Sequence, residues 1–240
     1  MAEQHAEISP RALARIGGAL YLLIIAIGLY GEMFIRSKII VSGDAAATAA
    51  NIRSMESLWR FGIAAELVLL VSAVALTVIL YILLRPAGRD LALLAVCFNL
   101  VSIAVEAVAA LNLVAATFPL GKAAYLTAFE PEQLHAMAML AARSHGFGFG
   151  VGLIFFGCEC IVLGYLIFKS GYFPKAIGIL MQIAGIAYLV NSFALILAPA
   201  LSSQLFPAIL VPAFVGEASL CLWLLLKGVC TETWNQRVGA

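Results

Sequence analysis

The sequence predicts an all-α fold, a polytopic membrane helical bundle of about six transmembrane helices with two short interfacial helices on its outer side. Three observations lead there. Hydrophobic residues make up 64% of the 240-residue chain and charged ones 11%, with a mean hydropathy of +1.06, whereas soluble chains run at roughly 45–50% apolar and about 25% charged. The apolar residues gather into windows at 15–35, 59–84, 91–116, 146–168, 175–198 and 206–226, each near the ~20 residues a helix needs to cross about 30 Å of hydrocarbon. Several windows stop at basic or helix-breaking residues, namely Arg85 and Pro86, Lys169 to Gly171, and Lys227 and Gly228. The whole of 1–240 reads as a single transmembrane domain.

Taken in order, the first window follows a tail in which Glu3 and Glu7 accompany arginines and no small-residue cleavage site appears. That reads as a retained anchor rather than a signal peptide. After it, Asp44 is placed to cap a short Ala-rich helix over 45–52, whose polar Thr48 and Asn51 suit an outer surface. The second and third windows are joined by the short turn at 85–90. Ahead of the fourth, Pro131 suits the first turn of a second interfacial helix over 131–144, with Leu134, Met137, Met139 and Leu140 supplying apolar contact. The fourth and fifth are joined at 169–175, and Pro212 interrupts the sixth, freeing a backbone carbonyl or kinking the helix.

Six spans put both termini on one side. That side carries Arg11, Arg15, Arg85, Arg89, Lys169, Lys175, Lys227 and Arg237 close to short loops, while Arg36, Lys38, Arg53, Arg60, Lys122 and Arg143 are spread over longer ones. The positive-inside rule then makes both termini cytoplasmic and the location the cell (cytoplasmic) membrane. The stretches Tyr81–Asp90 and Tyr165–Lys175 share a tyrosine, basic residues and a Gly/Pro pair, a hint of duplication.

Some functions drop out at once. A net charge of +1 supplies no basic field, so no nucleic acid is expected. Cys97, Cys158, Cys160, Cys221 and Cys230 fall in or beside apolar windows and read as plain buried thiols rather than a disulfide framework. Gly146, Gly148, Gly150 and Gly152 lack the preceding strand and basic partner of a dinucleotide loop, so no cofactor is implied. Small residues four apart instead let helices approach. No GxSxG or HExxH is present, which leaves catalytic residues unknown and enzyme activity open.

The functional clue is charge imbalance. Glu66, Glu106, Glu159 and Glu217 fall within the windows, yet no Lys or Arg lies comparably deep, and Arg60 sits at the outer rim. An acid near mid-membrane costs about 2.5–3.5 kcal/mol and calls for a proton, water or a cation. Helical spacing aligns Asn99, Ser102 and Glu106, then His145, Gly148, Gly152 and Glu159, then Tyr21, Gly28 and Glu32. The ligand-binding set expected is Glu32, Arg60, Glu66, Glu106, His145, Glu159, Asn191 and Glu217, around a polar cavity open to the outer face with Glu159 and Glu217 at its floor. The alternative for each Glu is a neutral side chain bonded to a neighbouring helix. His145 is either a proton relay or a cap at a helix entry. No metal is expected, although His145 with Glu106 and Glu66 is a conceivable ligand set; His5 and His135 lie far along the chain.

The stretches EMFIR (Glu32–Arg36), GDAAATAANI (Gly43–Ile52), YILLRP (Tyr81–Pro86), GYLIFKSGYFP (Gly164–Pro174) and PAFVGEASLCLWLLLKGV (Pro212–Val229) resemble the bacterial multi-pass membrane proteins catalogued as domain of unknown function 4386. The resemblance implies a compact helical bundle in a bacterial inner membrane, and the family's description assigns no activity. Its pattern is matched here at Glu32, Arg36, Asp44, Thr48, Asn51, Arg60, His145 and Glu217. The chain departs from it at Asn99, where a basic residue is common, and at Glu159, where an acid is not typical.

These readings converge on an integral membrane protein that binds or transports a small cationic or protonatable ligand in an acidic intramembrane cavity. Arg60 would be the outer gate. A membrane-embedded enzyme using His and Glu on a lipid-like substrate, or an accessory or sensory subunit, are the alternatives. Partners expected are the lipid bilayer, a small-molecule or cation ligand and, in a homo-oligomer, a second copy.

Overall fold

The computed structural model describes residues 9–238; Glu3, His5 and Glu7 lie outside the described residues. Among these most of the chain is helical, with no strand. Helix α1 (Pro10–Tyr30) runs into a π-helical segment, Gly31–Arg36, and a last turn α2 (Ser37–Ile39). Then come α3 (Ala45–Ser54), α4 (Glu56–Leu84) and α5 (Arg89–Ala115), 3₁₀ turns at Phe118–Leu120 and Ala124–Ala128, α6 (Pro131–Ser170), α7 (Lys175–Leu197), α8 (Pro199–Leu205), α9 (Leu210–Leu226) and α10 (Thr231–Val238). Five helical stretches, Pro10–Ile39, Glu56–Leu84, Arg89–Leu120, Pro131–Ser170 and Lys175–Leu197, are long and apolar enough to cross a membrane. The pair α8 and α9, bent by 56°, makes a sixth if counted as one span.

Two elements differ from expectation. The helix expected over 131–144 is not separate, because α6 is continuous over 40 residues. Nothing between Pro131 and Ser170 breaks it; Gly146 to Gly152 lower helix propensity without interrupting the hydrogen-bond ladder. At 1.5 Å per residue, α6 is about 60 Å long, twice the hydrocarbon thickness, so part of it lies outside any bilayer. The interruption near the last span falls at residues 206–209, before Pro212, which sits in the first turn of α9, where a missing N–H costs nothing.

The described chain divides into two compact units, whose boundaries at Leu23/Ile24, Val71/Ser72, Ser102/Ile103 and Gly152/Leu153 fall inside helices. One contains Ile24–Val71 and Ile103–Gly152. Its apolar centre is Ile35, Ile39, Ile52, Trp59, Ile63, Leu113, Ala116 and Ala142, and the Trp59 indole N–H donates to the Leu113 carbonyl at 3.0 Å. Helix α3 is tied in by its own polar side chains, as the Asp44 reading anticipates. Asp44 Oδ1 accepts from Ala47 N at 2.9 Å, Thr48 Oγ1 accepts from Val41 N at 3.0 Å, and Asn51 Nδ2 donates to Ile39 O at 3.1 Å. Gly43, at φ +80°, takes the turn that leads to the cap.

The other unit contains Ser72–Ser102, the chain up to Leu23 and the chain from Leu153 onward. In it α6 and α7 meet backbone to backbone. A Cβ built on Gly164 would lie 2.5 Å from Gly178 O, and one on Gly178 would lie 2.6 Å from Gly164 O. Gly157 and Gly185 repeat the arrangement, at 2.9 and 2.5 Å from each other's carbonyl oxygens. Both pairs are seven residues apart on each helix and run in opposite order, the signature of an antiparallel seam with coiled-coil spacing. The carbonyl of Leu83, near the end of α4, accepts from Tyr172 OH at 2.8 Å and from Trp234 Nε1 at 3.0 Å, so the turn before α7 and the amphipathic α10 share one acceptor.

Tyr172 lies outside the spans, and burial pushes its phenol well above the ordinary range. A phenol raised in the folded state stays neutral while the unfolded chain ionises, so this position holds its stability below about pH 10 and loses it as pH climbs further. The variant Tyr172→Phe is expected to cost about 1 kcal/mol near neutrality with the lost hydrogen bond. It should then fall off less steeply than the parent at alkaline pH, as followed by thermal unfolding in detergent.

Candidate functional site

The π-helical segment Gly31–Arg36 inserts an extra residue into the turn that carries Glu32 and Arg36, a distortion often found at functional positions. Arg36 thereby serves two carboxylates. Its Nε donates to Glu32 Oε2 at 2.7 Å, and its Nη1 donates to Glu66 Oε2, on α4, at 3.1 Å. The other oxygen of Glu66, Oε1, is 2.8 Å from Nε2 of His145 on α6. Glu66 and His145 are 8% and 4% exposed. The His145 ring stacks on Phe149, one turn along, at 6.1 Å between centroids, and because α6 runs straight through this point His145 is no helix cap. One buried carboxylate therefore sits between a permanent cation and a titratable ring.

This corrects the expectation that no basic side chain lies as deep as the acids. Arg36 follows the apolar window, yet its long side chain folds back along the helix to Glu66. The i, i+4 spacing of Glu32 and Arg36 is the signal that could have found it. Helix α5 approaches α6 in the same unit: a Cβ on Gly148 would lie 2.8 Å from Ala109 Cβ, and one on Gly152 2.8 Å from Glu106 Cγ, so Glu106 occupies the groove that Gly152 leaves. Arg60 stays apart, its Nε bonded to Glu56 Oε1 at 2.8 Å on its own helix with the side chain 63% exposed. A cavity of about 10 Å³ lies beside Arg36, lined by Gly31, Ile35, Trp59, Gly62, Ile63 and Leu113. That is room for a single water.

Glu159, Asn191 and Glu217 belong to the other unit. There Glu217 of α9 is 9% exposed, and its Oε2 accepts from Tyr21 OH of α1 at 3.2 Å. Its Oε1 accepts from Tyr188 OH of α7, whose ring packs edge-on to Phe156 at 5.3 Å between centroids. Glu159 of α6 is buried, and with Thr77 and Tyr81 it lines a second cavity of about 10 Å³. Thr77 Oγ1 accepts from Asn99 Nδ2 at 2.7 Å, so the Asn99 position is engaged by a neutral partner here. Asn191 is half-buried on α7. The tyrosines that meet Glu217 come from residues 196 and 29 positions away along the chain, distances at which spacing carries no signal. Among the described residues no three His, Cys, Asp or Glu side chains form a group able to hold a metal, the set His145, Glu66 and Glu106 included.

The family model described as "Domain of unknown function (DUF4386)" matches residues 16–228. An uncharacterized protein of Archaeoglobus fulgidus is 29% identical over 168 residues, covering 70% of this chain and 84% of the relative. No solved structure matches.

Proposed function

This chain belongs to the DUF4386 family, and because that family's description assigns no activity we propose a function from the charge cluster itself: binding and transport of a small cationic or protonatable ligand, exchanged for a proton on the His145–Glu66 pair. The supporting observation is the sharing of the Glu66 carboxylate between Arg36 and His145. Two carboxylates, Glu32 and Glu66, against one guanidinium leave one net negative charge, and a proton on His145 cancels it. Imidazole is the side chain that ordinarily changes charge between about pH 5 and 8. A proton and a monovalent cation are then alternative ways to neutralise the cluster, which is the requirement for exchange. With only about 10 Å³ free beside Arg36, entry of the ligand must displace Arg36 or His145. The π segment that carries Arg36 is the element suited to that movement.

A second reading has one observation in its favour. Arg36, Glu32, Glu66 and His145 satisfy one another, so the cluster equally suits a polar staple within its unit. Proteoliposomes of the full chain with a trapped pH dye decide between them. Under exchange, gradients of sodium, potassium or methylammonium move protons, Glu66→Gln reduces the rate at least tenfold, and Arg60→Gln leaves it unchanged. Absence of flux for every cation, with Glu66→Gln merely lowering the unfolding temperature, favours the staple.

We place both termini on the cytoplasmic side of the cell membrane, from the basic residues near the short loops. Cys230 offers the check. It is exposed, lies just after the last span, and its thiol is held below the ordinary range by the Thr233 hydroxyl. A membrane-impermeant maleimide is expected to label Cys230 only after cells are opened; labelling of intact spheroplasts at that residue reverses the orientation.

A further inference from the structure

We propose that Glu217, clasped by Tyr21 and Tyr188, is a proton site: a neutral carboxylic acid that exchanges its proton with water. This stands apart from the reading at Glu66, since it rests on different residues in the other unit.

Glu217 is buried among apolar helices and, among the described residues, bonds to two phenols and to no Lys, Arg or His. Glu66, by contrast, has two basic partners. A carboxylate with no counter-charge in a spanning helix calls for a cation, a metal or a proton. Among the described residues no basic group supplies the first, and no group of three ligating side chains is placed to hold the second. The groups facing this position are Tyr21 from α1, Glu159 and Cys160 from α6, Tyr188 from α7 and Cys221 from α9, none of them cationic. Tyr21 and Cys160 both lie in the field of Glu159 as well as of Glu217, so a second acid nearby adds to the cost of a fixed negative charge.

The two phenols also suit exchange. A carboxylate accepts from both hydroxyls; a carboxylic acid donates its proton to one phenol oxygen and accepts from the other. Uptake of one proton from water, accompanied by rotation of one phenol hydroxyl, converts the first arrangement into the second without moving a helix. In the same unit the cavity lined by Glu159, Thr77 and Tyr81 has room for one water.

Infrared difference spectroscopy of the full-length protein in detergent tests this. The wild type is expected to show the carbonyl stretch of an un-ionised carboxylic acid that is lost in Glu217→Gln, retained in Glu66→Gln and shifted in Tyr21→Phe. Glutamine reproduces the shape of the neutral acid, so Glu217→Gln should also keep its unfolding temperature within a few degrees. If that variant does not fold, the band shift in Tyr21→Phe carries the test. Absence of the band, or a band indifferent to both substitutions, overturns the proposal.

Discussion

Replacing Arg36 by methionine is expected to remove about 3 kcal/mol of stability, and removing its buried partner as well with a second substitution, Glu66→Met, is expected to recover most of it. The guanidinium spans two carboxylates, and the one it shares with His145 is buried. Breaking a buried pair by deleting one partner costs about 3–5 kcal/mol, because the remaining charge is left without compensation. Here the remaining carboxylate keeps His145 at 2.8 Å, which places the loss at the low end of that range. Removing both charges takes away the desolvation penalty together with the attraction, so the double variant lies closer to the parent than the single. Arg36→Lys does not substitute, since one ammonium lacks the fork that reaches Glu32 and Glu66 at once. Thermal unfolding in a single detergent measures all four proteins. A single variant within about 1 kcal/mol of the parent, or a double variant worse than the single, would show that the cluster does not hold this unit together.

The second large effect is expected at the seam between α6 and α7. Gly178→Leu should leave no monodisperse folded protein, and Gly178→Ala should lose about 1–3 kcal/mol. The reason is what the new atoms meet. At Gly178 they are Gly164 O, Phe168 N and Phe168 Cα, at 2.6, 2.7 and 3.0 Å, all backbone, so no side chain can turn aside and the helices themselves must part. Gly146, on the facing helix α6, supplies the control. Nothing lies within 4 Å of a Cβ built there, so Gly146→Ala is expected to be neutral or to gain up to about 1 kcal/mol of helix propensity. Equal behaviour of the two alanine variants, in size-exclusion profile and unfolding temperature, contradicts the seam.

The spans were legible because twenty consecutive apolar residues have few alternatives, and the Asp44 cap was legible because capping is local in sequence. The charged cluster was legible in part. Glu66 and His145 stood out as polar residues in or beside apolar windows, whereas Arg36 was counted among the basic residues of the longer loops; neither the π segment beneath it nor the backward reach of its side chain follows from helical periodicity. Glu217 was marked, but its company was not, since Tyr21 and Tyr188 reach it from distant helices. The glycines of the seam could have been found. Gly157 and Gly164, then Gly178 and Gly185, keep the same seven-residue interval on consecutive spans, a pattern obscured by the denser glycine run at 146–152.

The doubly used carbonyl of Leu83 has a consequence for how the chain is made. A ribosome emits α4 long before Tyr172 and longer still before Trp234, so the end of α4 enters the membrane with its acceptor open to water. Tyr172 fills it when the fourth and fifth spans are both in place, and Trp234 only after the last span has followed them. Closure of this unit thereby waits for residue 234, and a chain stalled after the last span but before that residue would sit in the membrane threaded but unlatched.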